Sequence, residues 1–221
     1  MQIAIVGSGC DRMASSDGAP DASDAAAGDA AAAIVRAVAM TPGATLAIVP
    51  ELAALVAATL VDLAPPQAAE AGAPPQRPLS LAFIGRELPE AMRPFRDVLA
   101  AMGGGETIDL QQAIAQAEVV FILGDAPGGL PRAEGGHRSR AVYFTSLLPR
   151  DHDRGALHAE LADRFGRVIV GEELVARGEG ERLIDEGPGE DEAAFSSYGL
   201  AAEVVLGEAE EPSSRRDLRP A

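Results

Sequence analysis

Glu118-Val119-Val120-Phe121-Ile122-Leu123 is the stretch that decides the fold. Five consecutive apolar residues leave no face for water, so the run reads as a strand buried on both sides. Strands of that kind belong to parallel sheets covered by helices on both faces. The residues on either side of it should then alternate between short apolar strands and helical patterns.

They do. Upstream, residues 3–6, 45–49 and 79–84 are short apolar runs. The Ala-rich residues 24–40 and the nearly all-apolar residues 51–63 are helical patterns, and a helix apolar on every side should be largely buried. Leu88, Met92, Phe95, Leu99 and Met102 recur at steps of three and four, an amphipathic helix interrupted at Pro94 and ended by Gly103-Gly104-Gly105. Asp109 is placed to cap a short helix running to Ala117, with Gln112 at the reciprocal position. Downstream, residues 141–148 and 167–170 read as strands. Between them Leu157, Leu161 and Phe165 mark a helix capped by Asp153 and closed by Gly166. Residues 178–192 read as an acidic, Gly-rich loop, residues 202–206 as a last edge strand, and residues 213–221 as a frayed tail.

Pro65, Pro66, Pro74, Pro75 and Pro78 make residues 64–78 a loop that divides the chain into two halves. Neither half has enough strands to shield both faces of its own sheet. The expectation is therefore one Rossmann-like, doubly wound, mostly parallel α/β domain over residues 1–207, followed by a polar tail over residues 208–221.

Composition removes several function classes. The 221 residues carry a net charge of −16, with 18 basic against 34 acidic side chains. Such a surface repels phosphate backbones and anionic lipid, so nucleic acid and membranes are not expected partners. Every basic residue is Arg; Lys and Asn are absent. Without Lys there is no Walker-A lysine, no Schiff base and no Ser–Lys dyad, and without Lys or Asn the kinase constellation fails. Cys10 is the only cysteine, so no internal disulfide forms, and residues 1–6 read as a strand rather than a signal peptide. A cytoplasmic location is the expectation.

In a doubly wound sheet, ligands bind beyond the carboxyl ends of the strands, where successive connections diverge. Gly7-Ser8-Gly9 follows the first strand, where glycines let backbone amides approach a phosphate. The dinucleotide fingerprint needs a third glycine three residues on, and Arg12 stands there. Gly124-Asp125-Ala126-Pro127-Gly128-Gly129-Leu130-Pro131-Arg132 follows the deciding strand and sets open amides beside a guanidinium. Arg86, in the loop after residues 79–84, is a further candidate anion contact. Asp151-His152-Asp153, with His158 beyond, offers a His flanked by carboxylates, so His152 and Asp151 are the candidate acid–base residues. A capped helix with a solvated loop explains the same residues without chemistry. Cys10 lacks an Arg six positions on, where Ser16 stands, and is a small loop residue. His137 lies between glycines and Arg138. No metal site is expected, because the His spacing is too wide and Cys10 has no cysteine partner.

The order of elements over roughly residues 1–150, with the glycine loop after the first strand and Pro127-Gly128-Gly129-Leu130 after the deciding strand, resembles the SLOG/LOG group of Rossmann-like proteins. The resemblance implies binding of nucleotides or nucleotide-derived ligands; some LOG members hydrolyse cytokinin-type nucleotides. Those enzymes carry Pro-Gly-Gly-x-Gly-Thr-x-x-Glu, whereas here Pro131 and Arg132 replace Gly and Thr, and Glu134 falls one place short. Ligand binding rather than hydrolysis is what carries over.

The expectation is a sensor or binding module for a nucleotide or nucleotide-derived phosphate ligand. Gly7, Ser8, Gly9, Arg86, Gly124, Gly128, Gly129 and Arg132 would contact this small anion, the nucleotide being the one cofactor class implied. The alternatives are an NAD(P)-dependent oxidoreductase and a non-catalytic subunit that forms a homo-oligomer through the apolar helix at residues 51–63.

Overall fold

The computed structural model describes residues 1–8, 22–63, 79–85, 104–128, 130–134, 139–149, 151–179 and 190–210. The strands are β1 (Gln2–Val6), β2 (Thr45–Ile48), β3 (Ser80–Ile84), β4 (Gly104–Ile108), β5 (Val119–Ile122), β6 (Arg140–Tyr143) and β7 (Arg167–Val170). The helices are α1 (Ala22–Ala39), α2 (Ala53–Leu63), α3 (Leu110–Gln116), α4 (Arg154–Arg164), α5 (Gly171–Glu179) and α6 (Glu190–Glu210). The strands form one seven-stranded sheet in the order β4-β3-β2-β1-β5-β6-β7. Every pairing is parallel.

β5 owes its place to its composition. All four of its residues are buried, and it lies between β1 and β6. Alternation divides the core in two. Ile3, Ile5, Leu46, Phe83, Val119 and Phe121 face a layer formed by α1, α2, α5 and α6. Ala4, Val6, Ile84, Val120, Ile122 and Tyr143 face a layer formed by α3 and α4. Right-handed crossovers explain the division, because a connection that steps leftward along the sheet lies on the opposite face from one that steps rightward. The direction reverses between β1 and β5, and that reversal positions the crevice described below.

Ala30, Ala31, Ala33 and Ala37 keep α1 slim and buried between the sheet and its neighbours. Ala33 is close enough to α6 that a Cβ on Gly199 would stand 3.8 Å from its methyl. Asp109 caps α3 by accepting from the Gln111 amide, and Asp153 caps α4 by accepting from the Ala156 amide.

Two expectations are corrected. Residues 202–206 are not an edge strand but part of α6, where Ala201, Ala202, Val205 and Leu206 seal the sheet beside α1. The Val204-Val205 pair gave a strand signal; the uncovered sheet face demanded a helix. The helix ends at Glu210. Gly104 and Gly105 begin β4 rather than ending a helix. The helical pattern at residues 88–102, the Pro-rich loop at 64–78 and most of the acidic loop at 178–192 lie outside the described residues. Among the described residues, no helix is long and apolar enough to cross a membrane.

Candidate functional site

The bends that follow β1 and β5 are tied to each other. At Gly7 the backbone takes φ +127°, and a Cβ there would stand 2.3 Å from the Leu123 carbonyl oxygen, so only glycine lets the two chains pass. One residue on, the Ser8 amide donates to the Asp125 carbonyl at 3.0 Å. The Asp125 amide donates to Ser8 Oγ at 2.9 Å. Gly124, at φ +81°, turns the chain so that Asp125 reaches Ser8.

These bonds close the floor of an open cleft of about 350 Å³ at the point of strand reversal. Val6, Val49, Ile84 and Leu110 give it apolar walls, Pro50 and Pro127 flank them, and Glu51 and Asp125 contribute carboxylates. Among the described residues that line it, none carries a basic side chain. The Pro50–Leu52 3-10 turn after β2 carries Glu51 to the rim.

His152 joins this assembly from the loop after β6. Its Nδ1 lies 2.7 Å from Asp125 Oδ1. That oxygen is buried and makes no well-aligned hydrogen bond. At this separation the two groups form an ion pair when the imidazole is protonated. A carboxylate so close to an imidazole holds the ring against the bend after β5. The carboxylate is Asp125, not a sequence neighbour: Asp153 is occupied by its cap and Asp151 is exposed.

The sequence candidates divide accordingly. Gly7, Ser8 and Gly124 meet at the crevice floor, but the Ser8 amide donates to the Asp125 carbonyl and the Asp125 amide to Ser8 Oγ, so neither stands open. Gly128 is exposed and does not line the cleft. Arg132 is held away, its guanidinium 3.2 Å from Asp163 of α4 and largely exposed. The loop that carries it is pinned over α3 and α4 by bonds from the Ala133 amide to the Arg164 carbonyl and from the Glu134 amide to the Ala115 carbonyl. Gly9, Cys10, Arg86, Gly129 and His137 lie outside the described residues. His158 is apart from the crevice and shares a 3.3 Å hydrogen bond with the Tyr143 hydroxyl.

Sequence reading missed Glu51 and Asp125 as site residues, although both stand directly at strand ends. It also missed a polar cluster beyond β6. There Glu172 accepts from the Ser146 amide at 2.8 Å and from its hydroxyl at 2.9 Å, and Ser146 Oγ lies 3.0 Å from the Tyr198 hydroxyl. Burial raises the Tyr198 pKa, opposed by the Ser146 hydrogen bond and helped by Glu172 and Asp29. No spacing in the sequence links residues from three separate elements. Among the described residues no group of three or more His, Cys, Asp or Glu is gathered to hold a metal ion.

Fold and crevice together define a Rossmann-like, doubly wound α/β protein with its cleft at the strand reversal. No family model, curated protein or solved structure matches this chain.

Proposed function

We propose that this protein binds a nucleotide or nucleotide-derived ligand in the crevice between the β1 and β5 bends, as a sensor or binding module of the kind the SLOG/LOG resemblance implies. The observation that carries the reading is the position of the cleft: it opens where the strand order reverses, the place at which doubly wound sheets take such ligands. Its lining also suits the ligand. A base packs against Val6, Val49, Ile84 and Leu110, while Glu51 and Asp125 accept hydrogen bonds from sugar hydroxyls. Phosphate points outward, away from those carboxylates. The volume is near the lower end of the range for ligand pockets, roughly 300–1,000 Å³, which favours a mononucleotide over a whole dinucleotide and so this reading over an NAD(P)-dependent oxidoreductase.

The test is thermal unfolding with adenosine, guanosine and their mono- and diphosphates, since a ligand held by the native state raises the midpoint. At a hundredfold excess over Kd the gain is about 2.7 kcal/mol. Ala126→Trp, which fills the cleft from its rim, abolishes the shift. A midpoint unmoved by every member at millimolar concentration refutes the reading, and a shift that survives Ala126→Trp places the ligand elsewhere.

A further inference from the structure

Two of the described residues that line the crevice are carboxylates, and they are mounted differently. Glu51 stands on the 3-10 turn after β2 and reaches the rim with the longer side chain. Asp125 is fixed by contacts to two other strand ends. Its amide donates to Ser8 Oγ at 2.9 Å, and its carbonyl accepts from the Ser8 amide at 3.0 Å. From the loop after β6, His152 sets Nδ1 2.7 Å from Asp125 Oδ1.

The two carboxylate oxygens of Asp125 thereby have different surroundings. Oδ1 is buried against the imidazole. The side chain as a whole is 39% exposed, so its open edge is the one that carries Oδ2. Ser8 Oγ lies 3.5 Å from Oδ2 and limits how that oxygen turns. Contacts at both the backbone and Oδ1 order the side chain before a ligand arrives, so less conformational entropy is lost on binding. A hydrogen bond to a charged acceptor is also stronger than one between neutral groups. The same arrangement is unforgiving. A ligand that lacks the hydroxyl covers the carboxylate without offering it a donor.

We propose that Asp125 determines specificity in the crevice, favouring ribose over deoxyribose, and that His152 is the positioning residue that fixes its carboxylate. The inference rests on the nucleotide reading of the crevice, and adds to it the sugar and the residue that reads it. His152 is not among the residues that line the cleft, so it acts through Asp125 rather than on the ligand.

Titration calorimetry tests this with adenosine, guanosine and their mono- and diphosphates, each beside its 2′-deoxy and 3′-deoxy form. For whichever compound binds, at least one deoxy form is weaker by about tenfold or more. Asp125→Ala keeps the backbone bonds to Ser8 and brings that ratio near one. His152→Ala lowers the ratio as well, whereas a histidine that merely supported its loop would weaken ribose and deoxyribose forms alike. His152→Asn, which returns an amide nitrogen near the place of Nδ1, restores the ratio. If His152→Ala fails to fold, His152→Leu fills the volume of the ring without a donor and takes its place.

A wild-type ratio near one for both deoxy forms overturns the proposal and leaves the nucleotide reading intact. Absence of binding by every ribose compound overturns both. A ratio lost on Glu51→Ala but kept in Asp125→Ala also overturns the proposal, as does one unchanged when His152 is replaced by Ala or Leu.

Discussion

The crevice at the β1 and β5 bends and the groove along β7 both lie at places where the sheet stops, yet they present opposite chemistry. At the crevice, backbone groups at the floor are paired across the two bends, and apolar walls and two carboxylates line the opening. Along β7 runs a groove lined by Tyr143, His158, Arg167 and Glu173. On the proposed reading, the first surface takes a small hydroxyl-bearing molecule. The second is a polar groove beside an outer strand. The difference follows from topology: a strand reversal gathers several loops around one point, whereas an edge leaves one side of a single strand without a neighbour.

Two glycines hold these regions in shape, and replacing each separates them. Gly7→Ala places a methyl 2.3 Å from the Leu123 carbonyl oxygen at φ +127°, where neither partner is a flexible side-chain end. Loss of about 3–5 kcal/mol is expected, enough to unfold a marginal domain. Denaturant unfolding measures it, and a loss under ~1 kcal/mol would show that the bends are not in contact. Gly171→Ala strikes where β7 passes into α5, with the new methyl 2.0 Å from the buried Phe144 ring. That ring lies 4.9 Å from Tyr198 in an edge-on arrangement and can give by rotating, so the expected cost is smaller, about 1–3 kcal/mol. Ligand binding at the crevice should survive Gly171→Ala.

Removing the Asp153 cap has a smaller effect. Asp153→Ala frees the Ala156 amide and costs about 1 kcal/mol, read from the unfolding midpoint. It also tests the loop that delivers His152 to Asp125, because α4 begins immediately beyond that histidine.

What the sequence disclosed was local. The run at residues 119–123 implied a buried parallel strand, and the caps at Asp109 and Asp153 were visible as a residue type before a helical pattern. The site was legible only as far as the bends: Gly7 and Gly124 stood after strands, but which donors their neighbours would occupy depends on the pairing of Ser8 with Asp125, 117 residues apart. Arg132 looked like an anion contact because it follows glycines; its loop instead folds over α4, where Asp163 takes it. His152 seemed to have carboxylates on both sides, yet Asp153 caps α4, Asp151 is exposed, and a residue from another strand end meets it. β4 was hidden because glycine is a poor strand former in isolation, and its pairing with β3 is a property of the assembled sheet.

The mildest perturbation distinguishes the two faces of β6 by their tyrosines, which are the only two in the chain. Tyr143 lies at the β7 groove, and burial, with Glu173 and Glu172 adding to it and Arg154 opposing, raises its pKa above the ordinary 10.0. Burial also leads at Tyr198, but there Glu172 and Asp29 are the acidic neighbours. Both hydroxyls therefore hold their protons more tightly in the folded state than in the unfolded one. Stability from this source is intact below pH 10 and declines as the pH rises above that value, through the folded-state titrations. Ultraviolet titration of phenolate should show both transitions above 10 in the native protein and a return to the ordinary value in denaturant. Glu173→Gln should then lower one of the two native transitions and leave the other in place. If both moved together, Tyr143 and Tyr198 would share one electrostatic environment, and the separation of the groove from the Ser146–Glu172 cluster would be wrong.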